Sequence, residues 1–160
     1  MNSLTKELPG MAVWFAVTFI AAAIGGAASV NAGTFYAQLT LPVWAPPAWL
    51  FGPVWTLLYA MMGIAAWMVW RARGFHGALT LFLVQLVLNA LWSWLFFGWQ
   101  LGGPAFMDIV ILWCFIVATM AAFWNVRPLA GAFLIPYLLW VSFALALNYS
   151  VWQLNPQILG

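Results

Sequence analysis

The residues able to do chemistry are few. The chain has one histidine, His76, one cysteine, Cys114, and two carboxylates, Glu7 and Asp108. A single His and a single Cys cannot assemble a zinc site of the usual ligand types. No acid–base pair, nucleophile or metal set falls in the apolar stretches, so no catalytic residue is assigned. What remains are indoles, phenols and amides, whose chemistry is stacking and hydrogen bonding. Three of them stand out: Trp55, Asn89 and Trp140, each inside a different apolar segment. At 1.5 Å per helical residue, Trp55 lies roughly 14 Å and Asn89 roughly 15 Å from one end of its segment, with Trp140 near the middle of its own. Groups that would leave a donor or acceptor unsatisfied in hydrocarbon belong in the bundle interior or a cavity, so this shared depth marks a candidate binding site.

Spacing supports that reading. Gln85, Asn89, Trp92, Ser93 and Phe96 follow the i, i+4, i+7, i+8, i+11 rhythm of one helical face. Trp55, Tyr59 and Gly63 recur at steps of four, as do Pro136, Trp140, Ala144 and Asn148. Small residues beside large rings leave space. For the amides alone there is a plainer account, in which they bond neighbouring helices at about 0.6 kcal/mol per interaction. Aromatic residues converging from three helices favour a ligand pocket over that account.

The elements that must position these groups follow from composition. Of 160 residues, 68% are hydrophobic and 4% charged, against about 25% charged in a soluble domain. Six charges cannot cover an aqueous surface, and the bilayer is the expected solvent. Apolar runs broken by turn residues place helices at roughly 9–31, 46–70, 78–99, 105–125 and 128–152. The fold class is an all-α membrane protein, a bundle of five transmembrane helices forming a single domain over 1–160. The first run is too long for the core of a signal peptide and stays as a spanning segment. Pro46-Pro47 and Pro128 announce the second and fifth helices. Pro53 and Pro136, each set inside a segment, are expected to bend it.

Threading five helices collects Lys6, Arg71, Arg73 and Arg127 on one side. The positive-inside bias then puts the N-terminus in the cytoplasm and the C-terminus outside. The small net charge of +2 gives no reason to expect nucleic acid as a partner. Five of the 13 tryptophans, Trp14, Trp70, Trp99, Trp124 and Trp152, lie near segment ends and read as interfacial belt residues. Asp108 is expected near the start of the fourth helix, complementing its dipole within reach of water. Cys114 reads as a small packing residue. Ala21, Gly25 and Ser29, with Ala22 and Gly26, permit close helix contact, either within the bundle or between two copies.

The only long connection, 32–45, carries Phe35, Tyr36, Leu39, Leu41, Pro42 and Trp44. A loop this apolar is read as a lid over the helix ends on the side toward which the pocket opens, with an anchor resting on the headgroups as the alternative.

The residues also resemble a known family, that of TspO and the translocator proteins. The resemblance rests on four motifs in order: Leu41-Pro-Val-Trp-Ala-Pro-Pro-Ala-Trp-Leu-Phe-Gly-Pro-Val-Trp-Thr-Leu-Leu-Tyr59; Gln85-Leu-Val-Leu-Asn89 with Trp92 and Phe96-Phe-Gly98; Pro136-Tyr-Leu-Leu-Trp140; and Leu147-Asn-Tyr-Ser-Val-Trp152. It implies a five-helix bundle, usually a homodimer; the lack of a basic tail or transit peptide fits a bacterial cell membrane. It further implies binding of porphyrins such as protoporphyrin and haem, and of benzodiazepine-type ligands, with no cofactor required. Carried over by position, the ligand-binding residues would be Tyr36, Trp44, Trp55, Tyr59, Asn89, Trp92, Ser93, Trp140 and Ala144. The family's sterol pattern needs a basic residue after Tyr149, where Gln153 stands instead.

A flat macrocycle suits a slot walled by indoles, with amide contacts fixing its orientation. No axial iron ligand is expected, because His76 falls on the side away from the pocket. A membrane receptor, sensor or translocator for tetrapyrroles is therefore the leading expectation. The alternatives are light- and oxygen-dependent porphyrin degradation, proposed for some members of the family, and a structural partner of another membrane protein.

Overall fold

The computed structural model describes residues 3–160, with side chains from Leu8 onward, so Lys6 and Glu7 lie outside the described side chains. The described residues form helices without strands: α1 (Ser3–Ala28), α2 (Ala32–Gln38), α3 (Phe51–Arg73), α4 (Gly77–Ser93), α5 (Gly102–Val126), α6 (Pro128–Phe133), α7 (Ile135–Leu154) and α8 (Pro156–Leu159). Five stretches are long and apolar enough to cross a bilayer: Leu8–Ala28, Ala48–Arg73, Gly77–Gly98, Gly102–Val126 and Pro128–Leu154. The protein is an all-α membrane protein built on these five spans.

Local sequence explains where the spans stop. α3 ends at Gly74, whose φ of 66° suits glycine and whose N–H reaches the Trp70 carbonyl at 2.7 Å. Pro128 and Pro156 occupy the first positions of α6 and α8, where a missing N–H removes no helical bond. The fifth span is interrupted at Leu134, between α6 and α7. Pro136 has no N–H for the Ala132 carbonyl, and the chain gives way just before it, as its position in the sequence led us to expect. Pro53 behaves differently. It sits in the first turn of α3, after the short 3-10 turn Ala48–Leu50, where the ring is accommodated at a helix start instead of bending an interior. The 32–45 connection is half helical, since α2 takes up its first seven residues.

The fourth element ends unusually. After Ser93 the chain widens into a π turn, Trp94–Gly98, closed by Trp99 N–H to the Trp94 carbonyl at 2.7 Å. Five residues then occupy the turn that four would fill. Phe97 follows Asn89, Trp92 and Ser93 along the cavity, whereas Phe96, stacked on Trp92, is buried in a separate apolar cluster.

α5 packs against α4 and α7, and α1 packs against α3 and α4. α1 and α3 approach closely at Gly63, where an added Cβ would stand 3.1 Å from Thr18 Oγ1 and 3.5 Å from the Phe15 ring. The main core gathers Met62, Leu79, Phe82, Ile116, Phe123 and Tyr137, all essentially inaccessible. A second cluster, at the α2 end, joins Phe35 and Leu39 to Phe96, Ala105, Leu147, Val151 and Leu159. In hydrocarbon such packing acts through close van der Waals contact and interhelical hydrogen bonds, because lipid tails are as apolar as leucine.

Three expectations are corrected. Trp14 is not a belt residue: it is buried, with its ring edge-on to Phe82 at 6.0 Å, because α1 turns that face inward. Asp108 does not reach water. It is buried, and its Oδ2 has no hydrogen-bond partner, because it lies on the inward face of α5 with Ala105, Ile109 and Leu112. Cys114 does not pack in the interior; it is exposed on the outer surface of α5.

Candidate functional site

A cavity of about 610 Å³ lies between α1, α3 and α4, beneath α2. α1 contributes Phe19, Ala22, Ala23, Gly25 and Gly26, with Ser29 just beyond its end; α2 contributes Ala32, Gly33 and Tyr36. Ala48 with Phe51, Gly52, Trp55, Thr56 and Tyr59 come from the second span, and Asn89, Trp92, Ser93 and Phe97 from the third. Of the nine residues expected from the sequence, Tyr36, Trp55, Tyr59, Asn89, Trp92 and Ser93 meet around this space. Trp44, Trp140 and Ala144 do not line it. Trp140 stands one ring behind, 5.9 Å from Phe51 and 5.6 Å from Phe143, and Trp44 packs on the far side of Phe143 at 5.7 Å. Ala144 is buried in the main core.

The floor of the cavity is a hydrogen-bonded relay through three spans. The Tyr59 hydroxyl donates to Asn89 Oδ1 at 2.9 Å, and Asn89 Nδ2 donates to the Tyr137 hydroxyl at 2.7 Å. That hydroxyl donates to Gln85 Oε1 at 2.7 Å, and Gln85 Nε2 faces Met62 Sδ at 3.7 Å. The amides thus do bond neighbouring helices, and the same bonds fix Tyr59 and Asn89 at the cavity surface. Asn89 retains a second N–H, and Tyr59 retains acceptor lone pairs. Trp92 is held likewise: its indole N–H donates to Asn148 Oδ1 at 2.9 Å, while the ring stacks on Phe96 at 5.5 Å and 13°. Trp55 leans against Tyr59 at 5.9 Å and presents an edge-to-face contact to Tyr137 at 6.2 Å.

The loop covers the α2 end. The Tyr36 hydroxyl donates to the Pro46 carbonyl at 3.0 Å, and its ring meets Phe51 at 5.5 Å. Burial raises the Tyr36 phenol above its usual range, keeping it a neutral donor. Asn155 clamps the segment from the chain's other end, accepting from Thr40 N–H at 2.7 Å and donating to the Thr40 carbonyl at 2.8 Å. Phe35 and Leu39 are buried beneath it.

A profile of the TspO/MBR family matches residues 12–153. The chain belongs to the TspO/MBR family. It is 48% identical to the tryptophan-rich protein TspO of Chlorobaculum tepidum over 129 residues, covering 78% of this chain and 82% of that one. It is 37% identical to the tryptophan-rich sensory protein of Cereibacter sphaeroides over 143 residues, or 87% and 90% of the two chains. With the translocator protein of Homo sapiens it shares 40% over 126 residues, 76% and 75% respectively. The family resemblance read from the four motifs is thereby established, and the chain is a multi-pass membrane protein of this family.

Several cavity residues escaped the sequence reading. Phe19 carries no signal of its own in the sequence, while Ala22, Gly25, Gly26 and Ser29 belong to the small-residue stripe, whose spacing points to helix contact. Gly25 does serve contact, standing 3.2 Å from Ser93 Oγ by its would-be Cβ, whereas Gly26 faces open space. Tyr137 was missed because strict steps of four from Pro136 drift by about 40° per step on a helix of 3.6 residues per turn. The buried face of α7 runs instead through Tyr137, Val141, Ala144, Asn148 and Val151.

Proposed function

We propose that this protein is a membrane receptor, sensor or translocator that binds porphyrins, such as protoporphyrin and haem, and benzodiazepine-type ligands in the cavity among α1, α3 and α4. The observation that carries the reading is the cavity itself, walled by Trp55, Trp92, Phe51 and Phe97 and with hydrogen-bonding groups at Tyr59, Asn89 and Ser93. Its volume falls within the range of about 300–1,000 Å³ that small-molecule sites occupy. Indole and phenyl faces suit stacking on a flat conjugated ring, and the remaining capacity of Asn89 and Tyr59 suits one polar edge. The lining includes neither histidine nor cysteine, so the macrocycle is recognised as a ring and not through iron. The basic residues Arg71, Arg73 and Arg127 sit at the end opposite α2, which favours a cytoplasmic N-terminus and a cavity nearer the outer leaflet.

The test is a protoporphyrin titration of the purified protein followed by tryptophan quenching. Saturable binding weakened about tenfold, or 1.4 kcal/mol, in Trp55→Ala is expected. A Trp55→Ala, Asn89→Ala double variant that folds and binds with wild-type affinity would refute the assignment.

A further inference from the structure

The cavity is covered by α2 and opens on the flank of the bundle between α1 and the second span. At the α2 end, the Thr40–Asn155 bonds and the buried Phe35 and Leu39 hold the covering segment in place. On the flank between α1 and α3, residues that line the cavity are also exposed on the outside of the bundle: Phe19, Ala23 and Gly26 on α1, and Gly52 and Thr56 on the second span. They recur at i, i+4, i+7 and i, i+4, so each set forms one edge of a single slot, whose rim continues at the α2 end through the exposed Gly33 and Ala48. A Cβ added at Gly26 or Gly52 would meet nothing within 4 Å. The two helices touch near the other end, at Gly63, and the gap widens from there. Thr56 bonds its hydroxyl back to the Gly52 carbonyl at 2.9 Å, leaving no hydroxyl proton to face hydrocarbon. The slot lies within the membrane-spanning stretches, reaching about 12 Å along the second span from Ala48.

From these observations we infer that the slot between α1 and α3 is a lateral portal through which ligands pass between the bilayer and the cavity, without the α2 cover opening. The inference rests on the binding function proposed above. It narrows the ligand class to compounds that first partition into the membrane.

The experiment is stopped-flow binding of protoporphyrin to the full chain in lipid vesicles. At a fixed amount of porphyrin, the association rate should follow its concentration in the bilayer as the lipid content is varied. Gly26→Trp, which places a ring in the slot, should slow association by about tenfold or more. Asn155→Ala, which loosens the α2 cover, should leave the rate unchanged. A rate that follows aqueous porphyrin, or one raised by Asn155→Ala and unaffected by Gly26→Trp, would overturn the portal while leaving the binding function intact. Absence of saturable binding in the wild-type protein would instead count against the binding function itself. If Gly26→Trp abolishes binding, the lipid dependence of the wild-type rate and the Asn155→Ala arm decide the question.

Discussion

Replacing Tyr137 with phenylalanine isolates the buried relay beneath the cavity. Only one oxygen is lost, from a side chain about 1% exposed, so the packing volume is nearly unchanged. Two hydrogen bonds disappear, from Asn89 Nδ2 and to Gln85 Oε1, both 2.7 Å long. Asn89 keeps its bond from Tyr59, whereas Gln85 Oε1 is left without its donor in the spans' interior. Hydrogen bonds between membrane helices average about 0.6 kcal/mol and reach about 1.7. Two of them give an expected loss of about 1–3 kcal/mol, in line with the penalty for a buried unsatisfied acceptor. The assay is reversible unfolding in mixed micelles, run as a cycle with Gln85→Leu. The two substitutions should be coupled by about 0.6 kcal/mol or more, because they share a bond. Wild-type stability in Tyr137→Phe, with additive effects in the cycle, would show that the relay does not hold the three spans together.

Further outcomes follow from other contacts. Asn155→Ala removes both bonds to Thr40 and one to the Val151 carbonyl, so residues 39–47 should become more susceptible to limited proteolysis while the spans stay protected. Gly102→Leu drives a side chain into Trp152 and Leu159 and should destabilise by about 1–3 kcal/mol, whereas Gly26→Ala, facing open space, should leave the melting temperature nearly unchanged. Cys114, exposed on the outer face of α5, should react in vesicles with a lipid-soluble maleimide and resist a charged one; resistance to both would place it in an interface.

The five spans were legible because bilayer thickness imposes a length and an apolar composition that few other structures share. The site was legible in part. Asn89, Trp92 and Ser93 on α4, and Trp55 and Tyr59 on α3, could be read because polar and aromatic groups on one helical face have few places to go in hydrocarbon. The residue past Ser93 could not, since Phe96 and Phe97 stand i+4 from Trp92 and Ser93 alike and only the neighbouring elements decide that Phe97 lines the cavity while Phe96 joins the second cluster. The contribution of α1 was hidden for a different reason. A glycine that permits helix contact and one that leaves a gap look alike in sequence, and only the neighbour's position separates Gly25 from Gly26. Asp108 differs from its expectation because a carboxylate close to a helix start reads as solvated, whereas the face of α5 that carries it packs inward.

The most direct measurement is an experimental structure of the protein with protoporphyrin bound at saturation. The macrocycle should lie between Trp55 and Trp92, beneath Tyr36, with a polar edge toward Asn89. A macrocycle held elsewhere, with these side chains packed together and the space among α1, α3 and α4 filled, would contradict the account.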